Sequence, residues 1–166
     1  MKIRSFLMAF CLLFSFCLSA QTKFIIPYPS QFGNQPLDGR LLLLFSTSNK
    51  TEPRFQISDG PQTQQVFGIN ADGWKPGEVK TIDAKAFGYP VETMKQLKSG
   101  TYYVQVVLHK YETFKRKDGH TVKLPMDRGE GQHWNEAPGN LYNKPVQLRF
   151  NSAGTDAVTI KLDSEI

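Results

Sequence analysis

The chain has 166 residues, 40% of them hydrophobic and 21% charged, and carries a formal net charge of +5. That length supports one hydrophobic core and leaves little room for two, so a single domain is expected. The basic residues are scattered. Their one cluster, Lys115-Arg116-Lys117, stands beside Asp118-Gly119 and reads as a solvated hairpin tip, so no nucleic-acid partner is expected.

Lys2 and Arg4 precede an apolar run from Phe6 to Phe14, with Phe16 and Leu18 beyond it and then the small pair Ser19-Ala20. The run is too short to span a bilayer comfortably and ends at a processing-like site. Residues 1–20 are therefore expected to be a secretory signal peptide, cleaved after Ala20, with no transmembrane segment left afterwards. Both cysteines, Cys11 and Cys17, fall inside it. The remaining domain, 21–166, then has no disulfide, no thiolate nucleophile and no Cys-ligated zinc, and is placed in the periplasm or outside the cell.

Along the mature chain, strands are predicted over 23–28, 39–46, 54–58, 64–69, 78–82, 101–110, 144–151 and 155–162. Turn chemistry punctuates them at Asp38-Gly39, Asp59-Gly60-Pro61, Asp72-Gly73, Lys75-Pro76-Gly77, Asp118-Gly119 and Ala153-Gly154. This spacing, without long amphipathic helices, predicts an all-β fold: an antiparallel, immunoglobulin-like β-sandwich with long loops. Leu41-Leu42-Leu43-Leu44-Phe45 is apolar throughout and reads as a central strand covered on both faces. Val91, Met94 and Leu97 recur every three residues before Gly100, which predicts one short helical crossover.

The clearest alternation follows. Tyr102, Val104, Val106 and Leu108 share one face, expected in the core, while Tyr103, Gln105, Val107 and His109 share the other. The stretch from Leu97 to Val104 is similar to the tyrosine-corner approach to strand F of immunoglobulin-like domains, with Tyr102 in the corner and Val104 where an antibody domain has its second cysteine. At the far end Val158, Ile160 and Leu162 alternate with Thr159 and Lys161, as in a half-buried closing strand.

The segment from Lys123 to Tyr142 packs charge, amide, imidazole and aromatic groups between glycines and prolines, and reads as a displayed loop. Its candidate binding residues are Asp127, Arg128, Glu130, Gln132, His133, Trp134, Asn135 and Tyr142. Trp134, with Trp74 and Tyr142 as companions, offers a stacking surface for a sugar or peptide, or folds back to cover one end of the sandwich. Arg128 is placed to pair with Glu130 or Asp127. For catalysis the signals are poor: Gly-x-Ser-x-Gly and His-Glu-x-x-His do not occur, and Gly129-x-Gly131 lacks the flanking strand and helix of a phosphate loop. No cofactor is called for. A metal or acid–base site would have to be assembled across loops from His133, His109, Asp127 and Glu130.

Over 40–150 a longer series adds to this. Pro53-Arg54-Phe55-Gln56-Ile57-Ser58-Asp59-Gly60-Pro61, Gln65-Val66-Phe67-Gly68, Ala86-Phe87-Gly88-Tyr89-Pro90, Gly100-Thr101-Tyr102-Tyr103-Val104-Gln105 and Asp118-Gly119-His120 through Leu124-Pro125-Met126-Asp127 occur in order. Gly129-Glu130-Gly131-Gln132-His133-Trp134-Asn135 and Pro138-Gly139-Asn140-Leu141-Tyr142 complete the set. In this series the chain resembles the N-terminal, non-catalytic region of secreted bacterial esterase-like proteins whose later part is an α/β-hydrolase domain. The resemblance implies an accessory module that positions such a hydrolase, or recognises a substrate, saccharide or cell-surface ligand through the 124–142 loop. It carries no catalytic residues over. The hydrolase part is not in this sequence, so the alternative is a stand-alone hydrolase using His133, Asp127 and Glu130.

Overall fold

Residue alternation becomes sheet geometry in the computed structural model, which describes residues 21–166; the expected signal peptide and both cysteines lie outside the described residues. A small sheet is centred on β1 (Lys23–Pro27). The larger one is centred on β2 (Gly39–Ser46), β3 (Gln65–Asn70) and the eleven-residue β6 (Gly100–Lys110). β1 pairs antiparallel with β4 (Val79–Ile82) and parallel with β11 (Ala157–Thr159). In the larger sheet β2 lies between β3 and β6, and β5 (Phe87–Tyr89) closes one edge outside β3. The length of β6 lets it serve two partners on its other side: β10 (Val146–Phe150) along its first half, and β9 (Leu141–Tyr142) near its end, itself flanked by β12 (Ser164–Glu165). The hairpin of β7 (Glu112–Lys115) and β8 (Thr121–Leu124) projects beyond β6, with Lys115-Arg116-Lys117 at its exposed tip as expected.

The antiparallel sandwich is thus observed, and its core is the one the alternation predicts. Leu41, Leu43 and Phe45 of β2 and Tyr102, Val104, Val106 and Leu108 of β6 pack with Phe24 and Ile26 of β1 and with Ile82, Ile160 and Leu162. Phe45 is the hub. Its ring meets Phe24, Tyr102 and Phe150 edge-on at centroid distances of 5.5 Å and Phe67 at 5.9 Å, an arrangement that aligns the positive edge of one ring with the negative face of another. The Tyr102 hydroxyl donates to the Lys98 carbonyl at 2.8 Å.

Three expectations need correction. Residues 54–58 form no strand: Pro53–Phe55 is a single 3-10 turn, because Pro53 removes a donor and Phe55 and Gln56 bond back to Glu52 and Pro53. The 91–97 crossover is no helix either. Its backbone makes two tight turns, and the Gln96 side chain takes the Glu92 and Thr93 N–H groups, while Met94 and Leu97 still reach the core. Seven residues between Pro90 and Lys98 are too few to offset helix nucleation. Trp74 lies in the core at 0% exposure, edge-on to Tyr28, so it cannot accompany Trp134. On the other face of β6, Gln105 and Val107 are also fully buried.

Candidate functional site

What buries Gln105 also organises the candidate loop. The Pro53–Phe55 turn lies across the outer face of β2 and β6, where Gln105 Oε1 accepts the Arg54 N–H (3.0 Å). Gln105 Nε2 reaches Glu52 Oε2 (2.8 Å) and the Asn143 carbonyl (3.0 Å). The Arg54 guanidinium lies between the rings of Phe55 and Tyr142, 4.6 and 4.3 Å from their centroids, and donates to the Asn135 carbonyl (3.1 Å). Its Nε stands 2.9 Å from Glu52 Oε2, an ion pair by distance without the alignment of a hydrogen bond. Sequence reading assigned Arg54 to a strand and missed this clamp. Two of the candidate residues, Asn135 and Tyr142, are thereby spent on holding the loop's C-terminal limb.

Between β8 and β9 the chain organises its own backbone. Asp127 Oδ1 accepts the N–H groups of Gly129 (2.9 Å) and Gly131 (3.2 Å), and Glu130 Oε2 accepts that of Arg128 (2.8 Å). Such short side-chain bonds stabilise a turn in place of a helix or strand. Gly131 and Gln132 follow in the left-handed region at φ 68° and 64°, where glycine is at ease and glutamine is not. The Arg128 guanidinium pairs neither with Glu130 nor with Asp127; it crosses to Glu112 at the start of β7, 2.5 Å away. Asn140, buried, ties the limb to β6: its Oδ1 accepts the Lys110 N–H (2.9 Å) and its Nδ2 donates to the Trp134 carbonyl (2.7 Å).

A cavity of about 340 Å³ is left between the end of β6, the start of β7, the loop and β12. Its charged and polar walls are His109, Lys110, Glu112, Arg128, Asn140 and Glu165, with Tyr111 edge-on to His109 at 5.4 Å. Of the candidate binding residues of the loop only Arg128 lines it, together with His109 of β6. His133 is largely exposed and its Nδ1 faces Glu136 Oε2 at 3.8 Å; Asp127 and Gln132 are exposed, and Trp134 is half-buried away from the cavity. Asp127, Glu130 and His133 therefore each have separate partners. Among the described residues no group of three or more His, Cys, Asp or Glu side chains is placed to hold a metal ion.

Burial pushes the His109 pKa below its ordinary value, against the opposing pull of the Glu130 charge. Glu130 Oε1 is itself buried without a hydrogen-bond partner. Of the cavity residues that sequence reading missed, which include Asn140 and Glu165, Lys110 to Glu112 sit where the alternation of β6 gives out. That break was the available signal, since a long strand turning into a hairpin exposes its last side chains.

No protein-family model, curated protein or solved structure matches the chain. Among the described residues no helix is long and apolar enough to cross a membrane.

Proposed function

We propose that this chain is a secreted, non-catalytic binding module of immunoglobulin-like type, recognising a small polar ligand in the cavity beneath the 125–140 loop and working beside an esterase-like hydrolase. The cavity carries this reading: it has charged walls, and its framing loop uses Asp127 and Glu130 to hold its own backbone instead of presenting them to a substrate. The Tyr102 bond to Lys98 supports the immunoglobulin-like assignment, and the resemblance over 40–150 supports the hydrolase setting.

The test is amide chemical-shift mapping of the purified protein against a library of small polar compounds. Shifts clustered on residues 109–112 and 137–140, weakened in Arg128→Gln, are expected. Hydrolysis of activated acyl esters by the protein alone, lost in His133→Ala, would overturn the proposal.

A further inference from the structure

The charges on the cavity wall are not all equivalent. Arg128 and Glu112 neutralise one another at 2.5 Å. Lys110 and Glu165 do not: neither side chain forms an ion pair or hydrogen bond with another described residue. Yet they converge on one spot. A Cβ placed on Gly139 would lie 3.8 Å from Glu165 Oε1 and 3.9 Å from Lys110 Nζ, so a carboxylate and an ammonium both border the same glycine, within reach of one small molecule.

Glycine is also what the backbone needs there, since Gly139 has φ +88°. Its lack of a side chain leaves room beside the two charged groups, and its N–H already donates to the main-chain oxygen of Ile166 (3.0 Å). The glycine's own donor is therefore satisfied, while the two charged side chains beside it have no partner among the described residues.

Resting on the reading of this cavity as a binding site, we infer that its ligand is a small zwitterion of the amino-acid class, carboxylate toward Lys110 and ammonium toward Glu165. Charge complementarity selects it. A ligand with one net charge would satisfy one wall and face like charge at the other, whereas a zwitterion meets both. The cavity, at the small end of the roughly 300–1,000 Å³ range of ligand sites, suits an amino acid or dipeptide better than a longer chain.

The experiment titrates the purified protein with L-amino acids, with their N-acetyl and C-amide derivatives, and with neutral monosaccharides, following the amides of Lys110, Gly139 and Asn140. Free amino acids are expected to shift these amides, and blocking either ligand charge, or making Lys110→Gln or Glu165→Gln, is expected to weaken binding about tenfold. High salt should weaken it too. Monosaccharides binding at the same amides, indifferent to Lys110→Gln, would overturn the zwitterion and leave a binding site. Silence from every compound, with the variants folded as wild type, would overturn both. The blocked ligands test the inference on wild-type protein even where a variant fails to fold.

Discussion

Two side chains of very different character show how single residues hold this molecule. Phe45, 1% exposed, touches four other aromatic rings drawn from both sheets. Replacing it with alanine removes those contacts and leaves a cavity the surrounding strands cannot close, so Phe45→Ala should cost about 3–5 kcal/mol in denaturant titrations. Arg54 is also buried, at 8% exposure, but polar, and its guanidinium joins Phe55, Tyr142, Glu52 and the Asn135 carbonyl. Glu52 is partly exposed, so water offsets part of its loss of a partner; Arg54→Ala should cost about 1–3 kcal/mol and speed amide exchange across 134–142 more than in β2. A core phenylalanine inside an apolar run was legible in the sequence. Arg54 was not, because the partners that fix it to the loop, Asn135 and Tyr142, lie more than eighty residues away and nothing local distinguishes a clamped arginine from a solvated one. The Arg128–Glu112 pair escaped for the same reason: acidic neighbours in the loop looked nearer than a carboxylate across the hairpin.

At the scale of elements, strands with a long period were readable and very short ones were not. β1, β2 and β6 have enough residues to show alternation or a continuous apolar run, whereas β9 and β12 have two residues each and no period at all. The β7–β8 hairpin was legible only at its tip, since its mostly exposed strands bury no face that would imprint a pattern. Its attachment rests on Lys123 of β8, whose ammonium meets Asp38 Oδ1 at 2.6 Å, the same oxygen that accepts the Gly73 N–H. Burial raises the Asp38 pKa, but the Lys123 hydrogen bond, the Gly73 N–H and the Lys123 charge outweigh it and leave the carboxyl below its ordinary value. A depressed folded pKa stabilises the native state above the unfolded value near 3.8 and loses that contribution as pH falls through the lower folded value. Hairpin protection against amide exchange should therefore decline at the acid end of the stability curve, below about pH 4, and Asp38→Asn should remove that pH dependence. An unchanged profile in the variant would show that the pair does not pin the hairpin.

For the molecule as a whole, the ends of the described chain determine closure. β1 at the start pairs in parallel with β11 near the end, and Ile160 and Leu162, just beyond β11, are 4% and 1% exposed in the common core. The Leu162 carbonyl accepts the Gln31 side chain, and β12 then covers β9 beside the cavity. With no cysteine anywhere in residues 21–166, no disulfide holds these distant segments together, so packing and ladder bonds must do so. Removing residues 155–166 takes away one strand of the small sheet, two fully packed aliphatic side chains at about 2–5 kcal/mol each, and the outer wall of the cavity. That loss is comparable with the whole stability of a domain this size, about 5–15 kcal/mol. The truncated protein should lose near-ultraviolet circular dichroism and amide dispersion together, while reductant leaves the melting temperature of the intact domain unchanged. A truncation that kept a dispersed spectrum would place the closing force in the larger sheet alone and make β11 an ornament of the fold.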